Sequence, residues 1–214
     1  MRIILLGASG LTGSKVLQRA LKEDSINEVI CYLRHSLNSG SDKVSEIIIS
    51  TNEMLELSSL PKVDAIICCL GTTIKKAGSK EVFRKVDVEL PLKFASLAKN
   101  VATSCFVLQS SLGAQKPGNN FYLSCKAEIE DKITALNFNS FTIIRPSLLT
   151  GNRSEVRFGE IVGEFFLKLL SPFMIGSLRK YKAVKADDVA YAMLNAALNQ
   201  NAGNTIIESG EIGF

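Results

Sequence analysis

The sequence predicts an α/β protein with a doubly wound parallel sheet and a short C-terminal segment on the substrate side. Strands that are apolar throughout alternate with helical segments along most of the chain. This pattern is typical of a parallel sheet that is covered by helices on both faces. The length of 214 residues corresponds to roughly one domain. A chain of this length buries about 70% of its unfolded surface, so it needs no disulfide or metal to fold.

The first half of the chain supplies four strands and two helical segments. Continuous apolar runs predict strands at 2–6, 28–33, 46–49 and 64–70. Between the first two strands, apolar residues recur with helical spacing at 11–21. A longer helical stretch covers 79–100, and we expect it to break or bend near Pro91, because proline removes a helix hydrogen bond.

The second half continues the alternation and then loses it. Strands are predicted at 104–108 and 141–144, with a helix at 121–136 between them. After Arg145 the pattern weakens, leaving helices at 158–170 and 187–199 and a last strand at 205–208. We expect a single domain, 1–214, in which residues 147–185 form a substrate-side or lid segment at the carboxyl edge of the sheet. Four phenylalanines in this segment could line an apolar pocket, but their helical spacing favours a core role (Phe158, Phe165, Phe166 and Phe173).

Composition excludes several classes of site. His35 is the single histidine, which excludes multi-histidine metal centres, and no metal is predicted. Any Ser-His-Asp or Cys-His device would have to use this one residue. The five cysteines form no C-x-x-C motif and lie mostly in apolar runs, so we expect reduced, buried thiols and a cytoplasmic protein.

The charge distribution argues against nucleic-acid and membrane partners. The net charge is only +4 and the basic residues are scattered, whereas nucleic-acid binders concentrate them on one face. The apolar stretch 161–175 contains Glu164, Lys168 and Pro172 and is too broken to span a membrane. The chain also begins directly on a strand, so no signal peptide is expected.

A glycine-rich turn predicts a dinucleotide site. Gly7, Gly10 and Gly13 form G-x-x-G-x-x-G between the first strand and the first helix, the context that gives this motif its meaning. Gly7 allows a tight turn, Gly10 lets the backbone approach a pyrophosphate, and Gly13 lets the helix pack on the strand. The free amides at the helix start would then face the phosphates.

The end of the second strand favours NADP over NAD. NAD sites usually carry an acidic residue there, which holds the ribose hydroxyls. This strand ends instead on Arg34 and His35. Arg34 can pair with a 2′-phosphate and stack on adenine, or it can be a solvated loop charge. His35 could touch the same phosphate, although a surface position is favoured.

A tyrosine and a lysine supply the candidate chemistry. Tyr122 and Lys126 form Y-x-x-x-K at the start of a helix, where residues four apart share one face. The tyrosine pKa is ordinarily about 10, and a neighbouring lysine cation favours the phenolate. Ser110 and Ser111 follow the fifth strand, and a hydroxyl there can hydrogen-bond a substrate oxygen that develops negative charge. Which of the two serines acts is left open.

Together these motifs resemble the short-chain dehydrogenase/reductase superfamily, and within it the small atypical members of the Tat-interacting-protein type. The resemblance runs from Gly7 to about Ala197. It is carried by GASGLTG (7–13), LR (33–34), CCLGTTIKKAG (68–78), VDVELPLKFASLAK (86–99), SSLGA (110–114), YLSCKAEIE (122–130) and RPSLLTG (145–151).

The resemblance implies an NADP-binding Rossmann fold and a Ser-Tyr-Lys site. Residues implied to hold the pyrophosphate and adenosine are Gly7, Ser9, Gly10, Leu11, Thr12 and Arg34. Backbone contacts beside the adenine and ribose are implied for Leu70, Gly71 and Thr72, and contacts around the nicotinamide for Arg145 and Pro146. Ser111 or Ser110 would orient substrate, Tyr122 would be the general acid/base, and Lys126 would anchor the ribose.

One departure from the superfamily concerns the proton relay. Many members place an asparagine in the helix after the fourth strand, and this chain reads Val86-Asp87-Val88 there, as the atypical branch does. The leading interpretation is an NADP(H)-dependent oxidoreductase acting on a small carbonyl or alcohol. The alternatives are a nonenzymatic NADP(H)-binding redox-sensing regulator and a nucleotide-sugar epimerase-like enzyme. Helices such as 79–100 and 121–136 pair in many relatives, so a homodimer is a further expectation.

Overall fold

The computed structural model describes residues 1–115, 118–151 and 182–213. The strands are β1 (Arg2–Leu6), β2 (Glu28–Leu33), β3 (Val44–Ile48), β4 (Ala65–Cys68), β5 (Cys105–Gln109), β6 (Ser140–Arg145), β7 (Leu149–Thr150), β8 (Val184–Lys185) and β9 (Gly203–Glu208). The helices are α1 (Leu11–Ala20), α2 (Thr51–Glu56), α3 (Ile74–Ala77), α4 (Lys80–Arg84), α5 (Leu90–Asn100), α6 (Phe121–Thr134) and α7 (Ala186–Asn199). A π-helical turn, Lys85–Glu89, joins α4 to α5, and a 3₁₀ turn, Ser209–Glu211, follows β9.

Seven strands form one parallel sheet in the order β3-β2-β1-β4-β5-β6-β9. The strand order reverses between β1 and β4, which pair in register from Ile3 with Ala65 to Leu6 with Cys68. In such a sheet the ligand site lies outside the carboxyl ends of the strands at this reversal. The predicted doubly wound α/β fold is therefore confirmed, and the fold places the glycine turn at the reversal.

Both faces of the sheet are buried, which explains why its strands are apolar throughout. In β1, Ile4 and Leu6 face the layer that contains α5 and α6, whereas Ile3 and Leu5 face the layer that contains α1 and α7. Alternate side chains of a strand point to opposite faces, so each strand must be apolar at both sets of positions.

The long helical stretch deviates near Pro91, as predicted, although not at the proline itself. The helical path continues through Pro91, and the irregularity lies just before it, in the π-helical turn. There the Leu90 N–H donates to the Lys85 carbonyl, five residues back. Because Pro91 has no N–H to continue the regular ladder, the change of hydrogen-bond pattern ahead of it costs little.

Other differences are small or concern short elements. Strand β3 begins two residues earlier than predicted, and β4 is shorter at both ends. Helix α2 was not predicted, although Ser50 and Glu53 form the reciprocal S-x-x-E capping box that signals a helix start. The predicted helix at 158–170 lies outside the described residues. In the described part of the chain, no helix is both long and apolar enough to span a bilayer.

Candidate active site

The turn between β1 and α1, residues 7–13, forms a concave backbone surface, here called the cradle. Its glycines leave no room for a Cβ at two positions. A Cβ at Gly13 would lie 2.1 Å from the Gly7 carbonyl oxygen, so only glycine fits there. Gly7 has a φ of +79°, and its Cβ would lie 2.8 Å from the carbonyl carbon of Cys69. The Gly10 N–H donates to the Gly7 carbonyl at 2.9 Å and closes the turn.

The first turn of α1 offers backbone donors to an anion. Helix α1 starts after Gly10, and no side chain in the described ranges caps it. The first N–H groups of a helix have no partner within the helix, so they can donate to a phosphate. The hydroxyl of Thr12 is buried here and has no hydrogen-bond partner among the residues described. Ser9 is exposed in the turn and Leu11 is half-buried. The cradle fits the pyrophosphate of a dinucleotide.

The loop after β4, residues 70–72, runs beside this cradle. Its start is fixed because the Cys69 N–H donates to the Leu6 carbonyl at 2.9 Å. Its end is fixed because the Thr72 N–H donates to Asp87 Oδ2 at 2.8 Å. The loop thus connects the glycine turn to the π-helical turn.

A pocket of about 540 Å³ lies at the carboxyl ends of β2 and β3. It is lined by Arg34, His35 and residues 48–53. Arg34 is exposed there, in a position where its guanidinium can reach a ligand in the pocket. The end of β2 carries no acidic residue, but an acidic residue from α2, Glu53, lines the same pocket. The Glu53 carboxylate accepts a hydrogen bond from the Ser50 N–H at 2.7 Å, and through this bond it caps the start of α2.

Tyr122 and Lys126 share one face of α6, as their spacing predicts. The Lys126 ammonium lies 5.9 Å from the centroid of the Tyr122 ring, and the ring packs edge-on against Phe83 at 6.0 Å. Sequence reasoning did not foresee that Lys126 is buried and pairs with Asp87, Nζ to Oδ1, at 2.9 Å. Burial lowers the pKa of Lys126, but the charges of Asp87 and Tyr122 outweigh it and hold that pKa above the usual lysine value.

The two candidate serines have different surroundings. Ser110 is buried, its N–H donates to the Ile144 carbonyl at 2.7 Å, and its hydroxyl has no partner in the described ranges. Ser111 is half-buried, and its hydroxyl donates weakly to the Leu112 carbonyl at 3.4 Å. Both lie at the carboxyl end of β5, at the sheet edge that also receives the glycine turn.

The Arg145 side chain is already engaged. Its Nε and Nη2 donate to the two carboxylate oxygens of Glu130 at 3.1 and 2.6 Å, and Nη1 lies 3.5 Å from Glu208. The neighbouring Pro146 accepts from the Leu112 N–H at 2.9 Å, which joins the end of β6 to the serine loop. A contact between Arg145 and the nicotinamide stays a prediction, and it would be made by a side chain held by these acids.

The remaining expectations concern thiols, metals and the lid segment. All five cysteines are free and buried or half-buried, and burial raises the pKa of Cys31 and Cys68 to about 12. Among the described residues, no cluster of His, Cys, Asp and Glu could hold a metal ion. Strands β7 and β8 pair at the two ends of the predicted lid, whose residues 152–181, including the four phenylalanines, lie outside the described residues.

Comparison with known proteins supplies relatives along nearly the full chain. No family model matches the sequence. The chain is 32% identical to Protein fmp52, mitochondrial, of Emericella nidulans, over 99% of this chain and 94% of that protein. It is also 32% identical to Protein HTATIP2 of Rattus norvegicus, over 94% of this chain and 83% of that protein. Among solved structures, the Bordetella bronchiseptica enzyme WbmH in complex with NAD⁺ superposes with a TM-score of 0.71 at 16% identity, over 97% of this chain and 75% of that one.

These relatives correct one expectation and identify the family. The cytoplasmic location predicted from the cysteines is contradicted, because several fungal relatives are named as mitochondrial proteins. Free buried thiols do not identify the compartment of a protein. The motifs, the fold and the full-length relatives agree, and the chain belongs to the FMP52/HTATIP2 family of atypical short-chain dehydrogenases/reductases.

Proposed function

We propose that the protein is an NADP(H)-dependent oxidoreductase that transfers a hydride to or from a small carbonyl or alcohol substrate. The observation that carries the proposal is the placement of a Tyr122–Lys126 pair, with the lysine buried, at the sheet edge that holds an uncapped glycine-rich helix start. The first feature provides proton chemistry and the second provides a seat for a dinucleotide. A nicotinamide cofactor, when bound, would supply or accept the hydride.

The glycine turn and the loop after β4 would hold the cofactor. The amides at the start of α1 would donate to the pyrophosphate, with the unpartnered Thr12 hydroxyl beside them. The backbone of residues 70–72 would contact the adenine and ribose of the cofactor. Lys126 lies close to this loop, since a Cβ at Gly71 would be 3.9 Å from Nζ, and it would donate to the nicotinamide ribose.

Tyr122 would transfer the proton of the substrate oxygen. In reduction its phenol donates to the oxygen that receives negative charge, and in oxidation the phenolate accepts the alcohol proton. The Lys126 ammonium lies 5.9 Å from the centroid of the Tyr122 ring and places a positive charge beside the phenol. A hydroxyl at Ser110 or Ser111 would donate to the same substrate oxygen and hold it in place.

The pocket at Arg34 supports NADP as the preferred cofactor. The guanidinium can pair with a 2′-phosphate through two parallel hydrogen bonds. The acid in the same pocket, Glu53, is engaged in the capping box of α2, so it is not free to hold ribose hydroxyls as the acid of an NAD site does.

The test of the chemistry is Tyr122→Phe, with Tyr191→Phe as the matched control. Tyr191 lies on α7, exposed, under the Arg19 guanidinium and away from the sheet edge. With NADPH and a panel of small carbonyl compounds, Tyr122→Phe should lower turnover by about 10²–10⁴-fold and leave the NADPH Kd unchanged. The control should match the wild type. NADPH binding without turnover in the wild type would instead support the redox-sensing regulator.

The test of the cofactor preference is Arg34→Ala. Losing the pair with the 2′-phosphate should weaken NADPH binding by about tenfold or more. NADH has no 2′-phosphate, so its affinity should stay the same and serves as the internal control. Equal losses for both cofactors, or none for NADPH, would remove Arg34 from the site.

A further inference from the structure

Asp87 is a buried carboxylate at the centre of the candidate site. It lies in the π-helical turn Lys85–Glu89, and its side chain is fully buried. One oxygen lies 2.9 Å from Lys126 Nζ, and the other accepts the Thr72 N–H at 2.8 Å. Single-turn π-helices inside α-helices occur frequently at functional sites.

The surroundings of Lys126 show why such a partner is needed. Among the residues that the structure describes, the titratable groups that act on the ammonium are Asp87, Tyr122 on α6 and Cys68 on β4. Burial favours loss of the proton, and a buried ammonium without a counter-ion becomes neutral. A neutral amine exerts no cationic field on the Tyr122 phenol. Of these groups, the Asp87 carboxylate has the largest opposing effect, and it lies in direct contact with the ammonium at 2.9 Å.

We propose that Asp87 is a positioning residue of this site, whose carboxylate keeps Lys126 charged and fixed beside Tyr122 and ties it to the backbone at Thr72. The inference rests on the proposed function for its chemical meaning. Asp87 stands where many superfamily members carry an asparagine, and here it makes a direct ion pair with Lys126. We assign Asp87 no contact with substrate or cofactor: it would act through Lys126 and through the loop after β4, the two groups that its carboxylate contacts.

The ion pair also joins the two halves of the site mechanically. The Thr72 N–H and the Lys126 ammonium share one carboxylate, so the loop after β4 and helix α6 are held at a fixed separation. An aspartate-to-asparagine change keeps an oxygen that can accept the Thr72 N–H, and it removes only the charge. Asp87→Asn therefore separates the electrostatic role from the structural one.

The test is an NMR titration of the lysine side chains in the full chain, with Lys126→Arg used to assign the Lys126 signal. In the wild type, Lys126 should titrate above the exposed lysines. In Asp87→Asn, its pKa should fall by about 1 or more, because burial is no longer opposed by the carboxylate. Glu128→Gln is the matched control, since it removes another α6 carboxylate that pairs with Arg84, and it should leave the Lys126 pKa unchanged.

NADPH affinity measured from pH 6 to 10 gives the second readout. In Asp87→Asn the affinity should decline by about threefold or more between pH 8 and pH 10 as Lys126 loses its proton, while the wild type stays level there. An unchanged Lys126 pKa in Asp87→Asn overturns the proposal, as does a lowered pKa with an affinity profile like that of the wild type. A Lys126 that titrates below the exposed lysines in the wild type overturns it without any variant. If the wild type binds no NADPH, the proposed function fails, and the Lys126 pKa comparison still decides whether Asp87 holds the lysine.

Discussion

The two halves of the candidate site differ in the groups that form them: backbone in one, charged and polar side chains in the other. The glycine turn, residues 7–13, presents backbone groups to a ligand. Its geometry is possible because glycine has no Cβ at the two positions where one would clash with backbone, Gly7 and Gly13. The corner formed by Asp87, Tyr122 and Lys126 is made of side chains, and its geometry is set by charge. The turn is assembled within seven residues, whereas the corner joins the π-helical turn to helix α6.

The difference determines how each half fails. A Cβ added at Gly13 or Gly7 would lie 2.1 or 2.8 Å from a backbone carbonyl group, too close for a side-chain rotation to relieve, so the steric penalty is abrupt. A charge removed from the corner leaves its partner buried and unpaired, which costs free energy according to burial and can shift a pKa instead. Substitutions in the turn should therefore act on folding and cofactor binding together, and substitutions in the corner on charge states.

The largest effect is expected for Gly13→Ala. Its Cβ would lie 2.1 Å from the Gly7 carbonyl oxygen, so β1 and α1 must separate. We expect a loss of about 3 kcal/mol or more in the free energy of unfolding and no detectable NADPH binding. Urea unfolding and a binding titration measure the two effects.

Gly71→Ala is the matched control for this steric effect on stability. A Cβ at Gly71 would meet Asp87 Oδ1 at 3.7 Å and Lys126 Nζ at 3.9 Å, which are ordinary contacts. Its free energy of unfolding should stay within about 1 kcal/mol of the wild type. A Gly13→Ala protein as stable as Gly71→Ala would refute the steric account of the turn.

A smaller effect is expected for Glu130→Gln, which breaks the second buried ion pair on α6. Arg145, whose side chain is nearly buried, then keeps one carboxylate, Glu208 at 3.5 Å, and position 130 offers it a neutral amide oxygen in place of a charge. Leaving one buried charge without its partner should cost about 2–3 kcal/mol of stability, measured by urea unfolding. The Lys126 pKa should not move, because Glu130 is not among the groups that face it. A Lys126 pKa that follows Glu130 would mean that the two pairs are one network.

The turn was readable from the sequence because its requirements are local. Glycines at 7, 10 and 13 between a strand and a helix already imply the crowding that the structure contains. The Y-x-x-x-K spacing likewise placed Tyr122 and Lys126 on one face of α6. The alternation of apolar strands with helices predicted the sheet, since burial on both faces leaves no other pattern.

The ion pairs could not be read because their partners lie far apart in sequence. Asp87 and Lys126 are joined only when the π-helical turn packs on α6, and no local spacing encodes that contact. No local spacing predicts either that Glu53, on α2, lines the same pocket as Arg34. The S-x-x-E signal at Ser50 predicts that helix start, but it does not say which pocket the helix borders. The compartment was missed because buried thiols do not identify it.

The smallest effect concerns the outer face of α6, where the same charge logic operates under partial solvent screening. Glu128 bonds Arg84 at 2.7 and 2.8 Å and Lys132 at 2.6 Å, and these contacts lower its pKa from 4.5 to about 2. Because the folded-state pKa lies below that of the unfolded chain, the stabilisation is complete above about pH 5 and is lost as pH falls from 4.5 towards 2. Screening reduces it to about 1 kcal/mol. Urea unfolding should therefore find wild type more stable than Glu128→Gln by about that amount at pH 7, with the gap closing by about pH 2. A stability difference that stays constant over this range would show that Glu128 stabilises the protein by packing. Charge would then stabilise α6 only at its buried ion pairs.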